Sequence, residues 1–286
     1  MDSGPTYRVG YFVVGMFDVL GQQTTLSEWG DLSRPRSELL PALKATAGRV
    51  LTLRRMVSGF LRVFLEQSPS PPALTLSEEL RQARKKQLID VEMNTQWFGD
   101  TVMLYSPAHV IDDSAPFKEV WGTIGGAATL MISCLAGGFP IRGALEVGSA
   151  VELGKGDIYG PVLAQAHFAE SRLAEYPRVL ICGGLESLLA DSISKADSSP
   201  PARLTAQMAE FCRELFFKDE DGRLAVDYLG KTLARRLTHI EPNAYQSGLN
   251  FVVSELDRFT RSGNQKLRTR YERLHRYYLS RRSFWI

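Results

Sequence analysis

Val9-Gly10-Tyr11-Phe12-Val13-Val14-Gly15-Met16-Phe17-Asp18-Val19-Leu20-Gly21 carries one charge, and that charge stands near its end. The aliphatic and aromatic run through Tyr11-Phe12-Val13-Val14 predicts a buried β-strand. Asp18 falls where that strand gives way to a turn, and Gly21 lets the turn's backbone approach a ligand closely. A carboxylate in such a place can hold a cation while backbone N–H groups face a phosphate. The plainer alternative is an aspartate that caps the turn.

Outward from this strand, residues 37–66 show apolar residues at helical spacing (Leu39, Leu43, Val50, Leu53, Val57, Phe60). Two Pro- and Ser-rich breaks, 68–72 and 197–201, cannot hold a helix or a central strand. Between them the pattern predicts a charged helix at 77–86, N-capped by Ser77. Two strands at 88–92 and 96–105 follow, joined by a turn at Asn94. Residues 120–141 are uncharged and predict a helix packed against a sheet. A strand at 141–147, a hairpin through Gly154 and Gly156, a helix at 162–174 and a strand at 178–182 complete this part. The order β-α-ββ-α-β(β)-α-β is that of an α+β fold and resembles the ferredoxin-like (split βαβ) palm. It occupies residues 1–196. Residues 202–286 predict a mainly helical C-terminal lobe, with helices at 204–217, 230–239, 245–261 and 265–280. Its tail is basic: from Arg258 onward there are nine Lys/Arg against Glu272 alone. Such a tail suits nucleic acid, an anionic membrane or an acidic partner, or is a solvated helix whose Tyr271, Tyr277 and Tyr278 pack on the core.

Composition bounds the function. With 286 residues, 44% of them hydrophobic and 23% charged, the chain belongs with globular proteins and not with disordered or fibrous ones. Its net charge of +2 argues against nucleic-acid binding by global charge. Three scattered cysteines, Cys134, Cys182 and Cys212, make neither a disulfide framework nor a zinc cluster, and they suit a reducing cytoplasm. The opening Met1-Asp2-Ser3-Gly4-Pro5 has no basic or apolar leader character. The uncharged stretch 120–141 is long enough to span a bilayer, but its five glycines and Pro140 favour a buried helix, so no transmembrane segment is expected.

A second carboxylate stands in Gly99-Asp100-Thr101, within an apolar hairpin of Trp97, Phe98, Val102 and Met103. An ionised group there is costly without a partner. Two aspartates on adjacent strands would make a hard oxygen site for Mg²⁺ or Mn²⁺. Each aspartate alone reads equally well as a turn residue.

Phe17-Asp18-Val19-Leu20-Gly21, Gly99-Asp100, Ile141-Arg142-Gly143-Ala144-Leu145-Glu146-Val147-Gly148 and Gly156-Asp157-Ile158-Tyr159-Gly160 together resemble the catalytic domain of class III nucleotide cyclases, in order and spacing, over residues 9–183. The core is also similar in style to the bacterial pyrimidine (uridylate/cytidylate) cyclases of Pycsar-type antiphage signalling. The resemblance implies that Asp18, Asp100 and the Val19 carbonyl bind two Mn²⁺ or Mg²⁺ ions. It implies further that Leu20 and Gly21 lie along the triphosphate, that Arg142 contacts the phosphates, and that Gln96 and Asp157 read the base. It also implies a nucleoside triphosphate substrate, a homodimer with shared sites and a downstream cyclic-nucleotide-binding effector.

The sequence departs from the family in two ways. Gln96 stands where the family has a base-reading lysine, which disfavours ATP and leaves guanine, uracil and cytosine open, with UTP or CTP preferred. Ala164 and Phe168 stand where the family has a transition-state asparagine and arginine; Arg172 and His167 are candidate substitutes, and Glu146 is a candidate addition to the metal site. The expected activity is a nucleotidyl cyclase, a lyase forming a 3′,5′-cyclic nucleotide and pyrophosphate. The alternatives are an inactive cyclase-fold nucleotide-binding or regulatory module and a nucleic-acid sensor acting through the tail. Asp219-Glu220-Asp221-Gly222 fails as a calcium loop because Gly230 takes the place of the bidentate acid, so a polar turn is expected. No P-loop or Gly-x-Ser-x-Gly motif occurs.

Overall fold

A computed structural model describes residues 7–22, 35–67, 93–108, 117–154, 156–196, 199–237 and 242–286. The predicted helix at 77–86, the strand at 88–92, the break at 68–72 and part of the break at 197–201 lie outside these residues. Among the described residues the chain is an α+β fold, with one mostly antiparallel sheet of eight strands.

The sheet is organised by β1 (Arg8–Val19). It pairs antiparallel with β4 (Ile141–Gly154) along its full length, from Arg8↔Glu152 to Val19↔Ile141. Its second half, Phe12 to Asp18, also pairs with β3 (Thr101–Pro107). The strand β2 (Asn94–Phe98) closes a hairpin on β3. On the other side of β4 lie β6 (Val179–Ile181), parallel to it, then β8 (Leu224–Val226) and β7 (Phe216–Lys218). A short β5 (Asp157–Tyr159) pairs with the far end of β4.

Strand alternation divides the core between two faces. Phe17 and Val19 of β1, with Leu104 and Leu145, meet α1 (Arg36–Gln67) and α2 (Phe117–Ala136) in the larger cluster. Phe12, Val14 and Met16, with Met103 and Tyr105, meet Val162 and Ala166 of α3 (Pro161–Phe168), which continues as a π turn over Ala169–Leu173. A strand apolar on both faces is what a central position demands. The absence of charge from Val120 to Ala136 of α2 has the same cause: this part is enclosed by the sheet and other helices. Helix α2 is the one helix among the described residues long and apolar enough to cross a membrane, and 78% of its apolar window is buried inside the protein. Its Gly126 admits the Phe60 ring of α1; a Cβ there would meet that ring at 2.7 Å.

Three predicted boundaries are corrected. The turn is not at Asn94, which opens β2 opposite Tyr105; it is at Gly99-Asp100, where Gly99 takes φ 63°. The predicted helix at 204–217 appears as α5 (Pro200–Arg213), which ends before Phe216 and Phe217 enter β7. The break at 197–201 is shorter than predicted: α4 (Gly183–Ser194) ends before it, but Pro200 and Pro201 form the first turn of α5, capped by Ser199, where a proline's missing N–H costs no helical hydrogen bond. Beyond it come α6 (Lys231–Leu237), α7 (Ala244–Arg261) and α8 (Gln265–Arg281). The C-terminal segment is mainly helical, and it also contributes β7 and β8 to the common sheet. Its Tyr271, Tyr277 and Tyr278 are buried in the same cluster as α2.

The polar turn Asp219-Glu220-Asp221-Gly222 joins β7 to β8 and is held by a fully buried arginine. Arg178, just before β6, pairs with Asp219 and, at 2.7 Å, with Asp221, and its guanidinium lies 4.7 Å from the Tyr176 ring centre. Tyr176 donates its hydroxyl to Asp219. Removing one partner leaves buried carboxylates uncompensated. Arg178→Met is therefore expected to lower folding stability by about 3–5 kcal/mol, read as a fall in the urea midpoint; an unchanged midpoint would refute the role given to this cluster.

Candidate functional site

Even-numbered residues of β1 face the α3 side, so Asp18 projects there beside its cross-strand partners Thr101 and Arg142. Thr101 Oγ1 donates to Asp18 Oδ1 at 3.0 Å, and Arg142 Nη2 lies 3.5 Å from Asp18 Oδ2. Asp100 occupies the β2–β3 turn, next to Thr101. Burial raises the Asp18 carboxyl above its usual range, and the charge of Asp100 adds to the rise; Thr101 and Arg142 oppose it. The two aspartates predicted from separate motifs are thus electrostatic neighbours.

Arg142 is shared. Its Nε stands 2.7 Å from Glu170 Oε1, and its Nη1 donates to the Ser171 carbonyl at 3.3 Å. Only 3% of the Glu170 side chain is exposed. Burial pushes this carboxyl up to about 7; Arg142 pulls it down, while Asp18 and Asp100 raise it further. His167 Nδ1 stands 3.7 Å from Glu170 Oε2. Glu170 is the residue that sequence reasoning missed. Its signal was the stripe Val162, Ala166, Glu170: a charge on the buried face of a helix, carried inward through the π turn.

The other predicted positions divide. Val19 ends β1, and Leu20 N–H donates to the Pro140 carbonyl at 2.9 Å. Gly21 turns with φ 83° into open space. After it, Gln22 is buried and its Nε2 has no partner among the described residues. Gln96 and Asp157, one on β2 and one on β5, are brought together: Gln96 Nε2 stands 3.4 Å from Asp157 Oδ1. A carboxylate accepts, so the amide nitrogen faces it and Gln96 Oε1 is a buried acceptor without a partner among the described residues. Ala164, Phe168 and Arg172 share one exposed face.

Glu146 does not join the aspartates. It lies on the same strand face as Arg142, but about 13 Å further along at 3.3 Å per residue. Its Oε1 accepts from Val147 N–H at 2.8 Å and Leu185 N–H at 3.1 Å, where α4 begins. A carboxylate at a helix N-terminus satisfies the free N–H groups there. Gly184 makes the approach possible, since a Cβ on it would lie 1.9 Å from the Val147 carbonyl oxygen.

A divalent cation fits the donors present. Asp18 and Asp100 offer hard carboxylate oxygens whose mutual repulsion a cation would relieve, and Mg²⁺ is commonly held by one or two carboxylates plus water and phosphate. Among the described residues no group of three or more His, Cys, Asp and Glu forms a closed metal cage. A cavity of about 1080 Å³ lies elsewhere on this face, lined by Gly148, Ser149, Phe168, Cys182 and Gly184 among others; it does not include the aspartates. Compared with protein-family models, with curated proteins and with solved structures, the chain matches none.

The folded protein holds the Glu170 proton up to about pH 7, whereas the unfolded chain releases it near the ordinary carboxyl value of 4.5. The contribution of that protonated carboxyl to stability is complete below the lower value and is lost as pH rises through the upper one. In metal-free protein, the melting temperature of wild type relative to Glu170→Gln should therefore fall between pH 4.5 and 7.5. A constant difference across that range would show that Glu170 titrates normally.

Proposed function

We propose that the chain is a nucleotidyl cyclase that converts a nucleoside triphosphate to a 3′,5′-cyclic nucleotide and pyrophosphate. The observation that carries this reading is the convergence of Asp18, Asp100 and Arg142 at one end of β1, β3 and β4. The strand order β2-β3-β1-β4 also suits a ferredoxin-like palm of the class III cyclase type.

In this reading the Asp18 and Asp100 carboxylates and the Val19 carbonyl hold Mn²⁺ or Mg²⁺. Such ions, when bound, lower the pKa of an attacking hydroxyl and neutralise a pyrophosphate leaving group. Arg142 offers a guanidinium fork to the phosphates. The Leu20-Gly21 turn lies along the triphosphate. Asp157 accepts from the Gln96 amide nitrogen, so the two act as one polar pair, with the Asp157 carboxylate as its acceptor toward a base edge that carries N–H groups. That weakens the case for ATP relative to a family lysine. It keeps UTP and CTP, the substrates favoured by the Pycsar-type resemblance, and guanine remains compatible.

A homodimer completes the arrangement. Val9, Val151 and Tyr159 lie in one cross-strand row, and Val9 (77% exposed) and Tyr159 (71%) have no apolar cover. A second copy is the partner this reading assigns to that face. The three free cysteines suit a reducing cytoplasm, and a cyclic product there would act through a cyclic-nucleotide-binding effector, as in antiphage signalling.

One observation favours the second reading, an inactive nucleotide-binding or regulatory module: the exposed face of α3 carries Ala164 and Phe168, neither of which stabilises charge on phosphorus. The test is incubation with each of the four NTPs and Mn²⁺, read by mass spectrometry. A cyclic nucleotide is expected from wild type and about 100-fold less from Asp18→Ala and Asp100→Ala. No product from any NTP by the folded protein would favour the module.

A further inference from the structure

We propose that Glu170 is a positioning residue for Arg142: it fixes the guanidinium by its inner nitrogen, so that the terminal N–H groups stay free for a bound phosphate. The inference rests on the reading of Arg142 as a phosphate contact, and it gives the buried acid of the π turn a task.

Two consecutive residues of the π turn engage different nitrogens of Arg142. Glu170 Oε1 stands 2.7 Å from Nε, and the Ser171 carbonyl accepts from Nη1 at 3.3 Å. That carbonyl lies in the last turn, where helical carbonyls run out of backbone donors. The turn is of the π type, with Ala174 N–H donating to the Ala169 carbonyl at 2.8 Å, five residues back; such turns recur at functional sites. Both Arg142 Nε and Glu170 Oε1 are buried, while 21% of the Arg142 side chain as a whole is exposed. The anchored part of the guanidinium is therefore the inner one. Arg142 Nη2 lies 3.5 Å from Asp18 Oδ2. Each terminal nitrogen carries two N–H groups and has one acceptor among the described residues, so each keeps one N–H for a ligand.

Charge alone gives an acid no place beside a phosphate site, because it repels the ligand. What Glu170 contributes is order. An arginine side chain loses much rotamer freedom when it is held in one geometry. A guanidinium fixed before the ligand arrives has already lost that freedom in folding, so less is lost on binding. Glu170 is suited to the task because it is itself fixed: Val162 and Ala166 bury the same helix face one and two turns earlier. Its second oxygen, Oε2, lies 3.7 Å from Nδ1 of the exposed His167, so the close contact is the one to Arg142.

The test is calorimetric titration of the full chain with inorganic tripolyphosphate in Mg²⁺ at a pH above 7, where the Glu170 carboxyl is ionised. Removing an acid would tighten anion binding if charge alone mattered; positioning predicts the opposite sign. Glu170→Ala is expected to bind about tenfold more weakly, as for loss of one charge-assisted contact. Glu170→Gln, which keeps an acceptor for Nε, is expected to stay within about twofold of wild type. Arg142→Gln is expected to lose about tenfold, and adding Glu170→Ala to it to cost nothing more, because Glu170 acts through Arg142. Should Glu170→Ala fail to fold, Glu170→Asp, which retracts the carboxylate by one methylene, is expected to bind a few-fold more weakly. Unchanged or tighter binding by the Ala or Asp variant, equal losses in the Ala and Gln variants, a further loss in the double variant, or no binding by wild type would each overturn the inference. The expected pattern in a protein that cyclises no NTP would leave the inference standing and remove the cyclase reading.

Discussion

The double pairing of β1 is the constraint from which the rest follows. A strand hydrogen-bonded along both edges cannot slip by one residue without moving every side chain to the opposite face. That register puts Phe17 and Val19 against α1 and α2, and Phe12, Val14 and Met16 against α3. It also leaves Asp18 no choice of direction. The carboxylate must point to the α3 side, between Thr101 and Arg142, where burial is expensive and partners are obligatory.

The electrostatics of the site follow from that forced placement. Asp18 and Glu170 share one arginine, Arg142, and Asp100 lies within electrostatic range of both acids. Such an excess of carboxylates has two physical outlets: a proton held to a higher pH than usual, or a cation. Glu170 shows the first, and the pair Asp18 and Asp100 has the donor chemistry for the second. A buried arginine cluster at Arg178 uses similar chemistry differently. There both acids are matched directly, and the result is a clamp holding the β7–β8 hairpin to β6.

The C-terminal segment shows why composition alone misleads. Nine basic residues in a short tail look like a polycationic surface, yet several are spent on neighbouring acids, while Tyr271, Tyr277 and Tyr278 are core residues. Helix α8 is amphipathic in a packed protein, and its charges matter one at a time according to what each one faces.

Periodicity and apolar runs were sufficient to place β1, α1, α2, β4 and the helices after residue 200, because those patterns record burial on one face or two. Gly99-Asp100 and Phe216-Phe217 were harder. A hairpin turn depends on which residues pair across strands, and a strand of three residues is chosen by the sheet it joins. Asp18 and Asp100 could be singled out from local motifs, since an acid at a strand end or beside a glycine is visible in the chain itself; Arg142, Gln96 and Asp157 were singled out only by the resemblance to the cyclase pattern. What those residues touch was decided only by tertiary structure. Glu146 went to the N-terminus of α4, and Glu170 came to Arg142 through a π turn. Local sequence determines which face of its own helix or strand a side chain lies on; the charge it meets there belongs to a segment distant in sequence, brought near by sheet register and helix packing.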